Sequence, residues 1–315
     1  MRALRESFRV FERPGRHNRR VNGSGTGVIG VGNMGLAMAA RLREQGRAVF
    51  VRDVRADREA MAEREGARAC ATPALLSRQC EVVVVAVVDA AQTEAVLFGD
   101  DGVVAAAAPG SCVVLCPTIA PESVESFAAR LDALAIDWIE APMSGGPARA
   151  RAGTMSLMVA CRNDVFARHA LLLASLADPV FRLGERAGDG ARTKLVNNLL
   201  AAINLVGAAE ALALAERVGL DPARTLAVIE QSSGQSWIGA DRMRRALAGD
   251  WAPRAHTTLL RKDSGLALEM AAAAGFDAPL GAAAAARFRA ACDAGLGDLD
   301  DASLLRLARQ AEEGA

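Results

Sequence analysis

Gly27-Val28-Ile29-Gly30-Val31-Gly32-Asn33-Met34-Gly35 decides the fold. A short apolar run breaks into glycines and gives way to a helical stretch, Met34–Gln45. The spacing Gly30-x-Gly32-x-x-Gly35 at a strand-to-helix turn has a physical logic. Gly30 permits the tight turn, Gly32 lets the backbone approach a pyrophosphate, and Gly35 lets helix and strand pack closely. The first helical turn, with Asn33 and Met34, then offers N–H groups to the phosphates. The next strand, Ala48–Arg52, ends on Asp53, 18 residues past Gly35. A carboxylate there accepts hydrogen bonds from the adenosine ribose and repels a 2′-phosphate. NAD is therefore expected over NADP, although Arg52 and Arg55 flank the position and keep NADP possible.

Outward from this motif, apolar runs alternate with helical periods. Strands are expected at Val82–Val88, Val113–Cys116, Ile136–Glu140 and Thr154–Ala160, with helices at Ala91–Phe98 and Glu122–Leu134 between them. Continuous runs such as VVVVAVV suit strands covered on both faces. The alternation predicts an α/β fold, an N-terminal Rossmann doubly wound sheet. From Gly190 the pattern becomes all helical. Ala191–Arg217 spans ~40 Å as one helix, and Lys194, Asn197, Asn198, Asn204, Glu210 and Glu216 interrupt it too often for a membrane span. Further helices are expected at Asp221–Gln231, with Pro222 in the first helical position, Thr257–Ala274, Pro279–Ala294 and Asp301–Glu312. The expected domains are a disordered basic tail (residues 1–24), a Rossmann domain (25–187), and an all-α substrate and oligomerisation domain (188–315). The long helix joins the last two.

A chain of 315 residues has room for two cores. Lys+Arg and Asp+Glu balance at 37 each, so no global field draws nucleic acid or an anionic membrane. Six cysteines are scattered without CxxC or zinc-ligand spacing, which points to reduced thiols in a cytoplasmic protein and to no metal. The first 22 residues crowd arginines around Pro14 and Gly15 and lack the apolar core of a secretory signal. Glu6 and Glu12 weaken a transit-peptide reading. A disordered tail, or a start upstream of the native one, is expected.

Composition also narrows the chemistry. The chain has no tyrosine, which excludes a Tyr/Lys proton relay. His17, His169 and His256 are poorly placed for a histidine base, and zinc ligands are lacking. Lysine or a carboxylate remains. Glu140-Ala141-Pro142-Met143-Ser144-Gly145-Gly146-Pro147 follows a strand, so a hydroxyl and closely spaced N–H groups fall at the carboxyl edge of the sheet. Such a nest suits a carboxylate, though the same residues also make an ordinary turn. Lys194 stands at the head of the long helix with Asn198 four residues on, hence on one face. The helix dipole and partial burial disfavour an ammonium, pushing it down from ~10.4 toward general acid–base use. Taken by itself, Lys194 reads more readily as a solvated lysine.

Four segments in fixed order remove that isolation: GVGNMG (30–35), EAPMSGGPARARAGTMSLMVA (140–160), GDGARTKLVNN (188–198) and RKDSGLALE (261–269). Together they resemble the β-hydroxyacid dehydrogenase family, which includes 3-hydroxyisobutyrate dehydrogenase and tartronate semialdehyde reductase. The resemblance runs from about residue 25 to 312. Within the family, VVDAAQTEAVLFG (87–99), Gln235-Ser236-Trp237, Asp241-Arg242-Met243-Arg244 and Gly249-Asp250-Trp251 are similar to the branch acting on L-threonate-like aldonates.

The resemblance implies NAD-dependent oxidation of a small hydroxy acid. Lys194 matches the catalytic lysine and Asn198 a substrate-holding asparagine. Ser144, Gly145 and Gly146 match the carboxylate-binding segment, with Trp237 a further candidate around the substrate. Thr118 matches a residue beside substrate and nicotinamide. Lys262, followed by Asp263, matches a lysine near the cofactor, and Val88 joins the cofactor residues Gly30, Gly32, Asn33, Met34, Gly35 and Asp53. The alternatives are oxidation of 3-hydroxyisobutyrate, or reduction of tartronate semialdehyde or glyoxylate. A non-catalytic NAD-binding module is a distant third, opposed by the joint presence of Lys194, Asn198 and Ser144. The phosphogluconate branch would carry a histidine where Asn197 stands, and imine-reducing relatives usually replace the lysine. Pro117 replaces a frequent Ser and changes the backbone around Thr118. Glu140, in place of the commoner Asp, and Cys161, in place of Gly, read as packing changes. A homodimer or homotetramer is expected.

Overall fold

The computed structural model describes residues 25–310, so the basic tail and the last residues of the chain lie outside it. The described residues divide into two compact units, one ending at Lys194 and the other beginning at Leu195.

The first unit runs β1 (Gly25–Ile29), α1 (Asn33–Glu44), β2 (Val49–Arg52), α2 (Ala56–Arg64), β3 (Arg68–Ala69), α3 (Pro73–Ser77), β4 (Cys80–Val85), α4 (Ala90–Phe98), β5 (Cys112–Leu115), α5 (Pro121–Ala133) and β6 (Asp137–Glu140). These six strands are parallel in the order β3-β2-β1-β4-β5-β6. The order reverses between β1 and β4, and such a switch point opens a crevice at the carboxyl ends of the strands. Val82 to Val85 and Val113 to Leu115 are buried on both faces, as continuous apolar runs require. Cys80, Cys112, Cys116 and Cys161 lie in the same core. Burial pushes the Cys80 and Cys116 thiols up to about 12 and the Cys161 thiol up to about 11.

Beyond β6 the sheet changes sense. β7 (Met143–Ser144) and β8 (Met155–Ala160) pair antiparallel, β8 also meets β6 antiparallel, and β9 (Ala177–Gly184) lies parallel to β8. α6 (Gly146–Ala152) and α7 (Asn163–Leu176) connect them. The strand expected to reach Val88 stops at Val85, for a local reason. Asp89 caps α4 by accepting from the Gln92 N–H, while Gln92 Oε1 accepts from the Val88 N–H. This reciprocal cap turns the chain out of the sheet.

α8 (Asp189–Arg217) is one helix of 29 residues and carries the division between the units. Among the described residues it alone is long and apolar enough to cross a membrane by length and composition. Its Leu205, Ala209 and Leu212 are instead buried in the helical core of the second unit. That unit continues with α9 (Pro222–Glu230), α10 (Trp237–Leu247), α11 (Thr257–Ala273), α12 (Pro279–Ala291) and α13 (Leu304–Gln310). Met243, Leu226, Phe288, Leu304 and Leu305 complete the core.

A buried ionic cluster ties α10 to the segment before α13. Arg242 Nε donates to Asp301 at 2.6 Å, and Arg242 Nη1 donates to Asp241 at 2.5 Å. Arg245 forms an ion pair with Asp300 at 2.9 Å. Asp300 also accepts from the Arg254 and Ala302 N–H groups at 2.8 and 3.1 Å. Burial raises the Asp300 carboxyl, but Arg245 and these N–H donors outweigh it and hold the group down at about 2.

Candidate active site

The dinucleotide turn has the shape its sequence requires. Gly30 adopts φ +88°, and a Cβ there would lie 2.8 Å from the Ala86 carbonyl oxygen. A Cβ on Gly35 would lie 1.9 Å from the Gly30 carbonyl oxygen, so helix and strand touch backbone to backbone. Gly32 is different: nothing lies within 4 Å of where its Cβ would be. It is the N-cap of α1, with no side-chain cap and no acidic residue in the first turn. A helix N-terminus without a side-chain cap, with room beside Gly32, fits a pyrophosphate. Asp53 closes the turn, accepting from the Val31 N–H at 2.7 Å and the Arg55 N–H at 3.0 Å. A carboxylate has about four lone-pair sites, so acceptors remain for a ribose. Arg52 pairs with Glu59 at 2.8 Å and Arg55 with Asp57 at 2.7 Å. A cation the sequence reading passed over, Arg58, reaches Asn33 Oδ1 at 3.5 Å. Met34 is half-buried against the sheet core, and Val88 is exposed in the loop after β4.

At the carboxyl ends of β5 and β6 stand the remaining candidates of this unit. Thr118 follows β5 and is half-buried. Ser144 lies in β7, its carbonyl accepting from Ser156 Oγ at 3.4 Å, and Gly145 and Gly146 turn the chain into α6 with φ +126° and +75°. Glu140 ends β6 and is 1% exposed. Its carboxylate accepts from the N–H groups of Gly188 (3.0 Å), Gly190 (3.1 Å) and Ala191 (2.5 Å) at the head of α8. Burial pushes Glu140 up to about 7 even against these three donors. Glu140 is therefore more than the packing change expected from sequence. Lys194, in the second turn of α8, is 7% exposed and not the solvated lysine its isolated sequence context favoured.

In the second unit Asn198 is also buried. Its Nδ2 donates to Asp263 Oδ2 at 2.6 Å, and Asp263 Oδ1 accepts from Lys262 Nζ at 2.7 Å. Asn197 Nδ2 donates to Asn198 Oδ1 at 3.0 Å. Lys262 was singled out from sequence, whereas the structural role of Asp263, orienting Asn198, was not. The available signal was an acid beside a lysine at a helical position facing α8. Trp237 begins α10, half-exposed, with the Arg242 guanidinium 5.8 Å from its ring centroid. Of the histidines, His169 is buried in α7, where burial and then Arg168 lower its proton affinity, and His256 Nδ1 sits 3.0 Å from the Asp298 carbonyl oxygen. Among the described residues no group of His, Cys, Asp and Glu is arranged to hold a metal.

Taken together, a glycine turn with an open helix N-terminus and an acid at the end of β2 define a nicotinamide dinucleotide-binding oxidoreductase. Comparison with known families agrees in both halves of the chain. Residues 25–184 match the NAD-binding domain of 6-phosphogluconate dehydrogenase, and residues 188–308 match the NAD-binding domain of NADP-dependent 3-hydroxyisobutyrate dehydrogenase. The chain belongs to the 3-hydroxyisobutyrate dehydrogenase-like family of NAD(P)-dependent hydroxy-acid dehydrogenases, which act on CH–OH groups. An L-threonate dehydrogenase from Cupriavidus necator is 38% identical over 89% of this chain and 95% of its own. A 3-hydroxyisobutyrate dehydrogenase from Pseudomonas aeruginosa is 36% identical over 89% and 97%. The crystal structure of a 3-hydroxyisobutyrate dehydrogenase from Salmonella typhimurium superposes with a TM-score of 0.84 at 33% identity, covering 90% of this chain and 99% of that one.

Proposed function

We propose that the chain oxidises an L-threonate-like aldonate with NAD, and that Lys194 moves the proton. The observation that carries this reading is the burial of Lys194 at the head of α8, with Asn198 one helical turn beyond it. A dinucleotide held at the glycine turn and Asp53 would supply the hydride acceptor for the alcohol carbon. Ser144, Gly145 and Gly146 receive the substrate carboxylate through the hydroxyl and backbone N–H groups, and Asn198, held by Asp263, orients a hydroxyl. Lys194 as a neutral amine takes the hydroxyl proton; in the reverse direction its ammonium returns it. The family resemblance assigns Thr118 to substrate and nicotinamide and Lys262 to the cofactor, and Trp237 is a further candidate for the substrate. The similarity to L-threonate dehydrogenase favours the aldonate, and the similarity to 3-hydroxyisobutyrate dehydrogenase favours the second reading, a smaller hydroxy acid. Initial rates with L-threonate, 3-hydroxyisobutyrate and D-glycerate, each with NAD+ and NADP+, separate the two. The largest kcat/KM is expected for L-threonate, and turnover of 3-hydroxyisobutyrate without L-threonate turnover overturns the choice.

Asp53 sets the preference for NAD. Hydrogen bonds to a charged group contribute ~1.5–3 kcal/mol, so Asp53→Ala is expected to narrow the NAD:NADP ratio of kcat/KM by ~10–100-fold, measured in the same assay. Large apolar side chains stand exposed along the second unit: Val196, Leu200 and Leu214 on α8, then Val218, Leu220 and Val228. A helix apolar all round is normally buried, and this supports self-association as a homodimer or homotetramer. Light scattering is expected to return two or four times the chain mass of 32.8 kDa. The unpaired cysteines are in keeping with a cytoplasmic setting.

A further inference from the structure

We propose that Glu140 is a positioning residue for proton transfer: its carboxylate fixes the helix turn that leads into Lys194 and so places that amine. The inference rests on the assignment of Lys194 made above. Helices are usually capped by a Ser, Thr, Asp or Asn of their own N-terminus. Here the acceptor comes from 48 to 51 residues upstream, at the end of β6, and reaches the Gly188, Gly190 and Ala191 N–H groups. Burying a carboxylate is costly, and the surroundings are shaped to accept one. Gly188 turns with φ +87°, and a Cβ on Gly190 would fall 2.8 Å from Glu140 Cδ. Lys194 is three residues past Ala191, a rise of ~4.5 Å along the helix.

The other charges around the carboxylate are accounted for. Asp189 adds a like charge that raises Glu140 further. Arg192, the nearest guanidinium on α8, is paired with Asp189 and with Glu125 of α5, and Arg186 stands 4.0 Å from Asp189. Among the described residues, the hydrogen bonds to Glu140 come from neutral N–H donors. Above about pH 7 Glu140 is ionised. The chain leaving Glu140 also leads within four residues to Ser144. One side chain thus ties the anion-receiving segment to the helix that carries the amine.

The test uses the full chain and two readouts. The first needs no substrate: the pH dependence of Lys194 acetylation by acetic anhydride, read by mass spectrometry on the Lys194 peptide. The second is kcat and KM for NAD+ with whichever of L-threonate and 3-hydroxyisobutyrate is turned over faster. Glu140→Gln is expected to change the acetylation profile of Lys194, because the turn that places the amine loses its carboxylate acceptor. It should lower kcat ~10–100-fold through misplacement of the amine, with KM for NAD+ unchanged. Glu140→Asp keeps a carboxylate acceptor for the three N–H groups and should restore both readouts. A folded Glu140→Gln protein with an unchanged acetylation profile or an unchanged kcat overturns the proposal when Lys194→Ala still lowers turnover. If Lys194→Ala leaves turnover intact, the underlying assignment fails instead. Should Glu140→Gln not fold, Gly190→Ala crowds the Glu140 side chain at 2.8 Å and the Met158 carbonyl oxygen at 2.9 Å, at a helical position where alanine is intrinsically favoured. It is expected to lower kcat ~10-fold or more, and an unchanged kcat overturns the proposal.

Discussion

Lys194→Ala is expected to lower kcat by ~10²–10⁴-fold, the usual worth of a positioned general acid–base group, and to leave NADH affinity unchanged in a fluorescence titration. The size of the effect follows from how few groups can take over. The sequence contains no tyrosine. His169 is buried in α7, and His256 faces the Asp298 carbonyl in the second unit. Lys194→Arg sharpens the test. Arginine preserves positive charge but does not lose its proton in a protein, so a residue needed only for its charge would survive the exchange and a proton carrier would not. Both variants are expected to show a loss of this size. For the wild type, oxidation should rise with pH as the amine becomes neutral, and the reverse reduction should fall over the same interval. Unchanged turnover in Lys194→Ala would remove lysine from the mechanism altogether.

The second large effect is on stability. Asp301→Ala is expected to destabilise the second unit by ~3 kcal/mol, because removing one member of a buried pair leaves the Arg242 guanidinium buried with only the half-exposed Asp241 beside it. Asp301 is 1% exposed and receives Arg242 Nε at 2.6 Å. Arg242 is held firmly protonated: burial opposes its charge, but Asp301 and then Asp241 outweigh that. Replacing both partners with apolar residues of similar volume, Arg242→Met with Asp301→Leu, is expected to cost much less than the single change. Urea denaturation of the three proteins measures the difference. Because Arg242 also lies over Trp237, the single variant should raise the KM of the hydroxy acid as well. The neighbouring Asp300 gives the cluster a pH signature. Its carboxyl sits at about 2 in the folded chain against an ordinary value of 3.8. The stability it contributes is complete above pH 3.8 and is lost as the pH falls through about 2.

Several elements were legible because one local pattern forced each. Glycines at 30, 32 and 35 and the valines of β4 read directly as a Rossmann half, and the family profiles and the sheet order agree. β9 was not read, because Ala177–Gly184 begins with Pro179 close behind and presents mostly half-buried residues with no clear alternation. α10 was missed for the opposite reason: its Arg242, Arg244 and Arg245 look like a solvated loop until Asp300, Asp301 and Glu230 are folded against them. In the site, the glycine turn and Asp53 follow from short-range geometry. Lys194 was ambiguous because burial is a tertiary property. The work of Glu140 was invisible, since nothing in its own neighbourhood names partners some fifty residues downstream.

The cysteines around the sheet carry a last consequence. Peroxides and disulfide-exchange agents attack thiolates. With Cys80 and Cys116 pushed to about 12 and Cys161 to about 11, almost no thiolate forms at neutral pH. These sulfurs serve as small apolar fillers in the fabric of the cofactor-binding unit. Oxidants outside therefore have little purchase on these three sulfurs, whether the surroundings are reducing or oxidising.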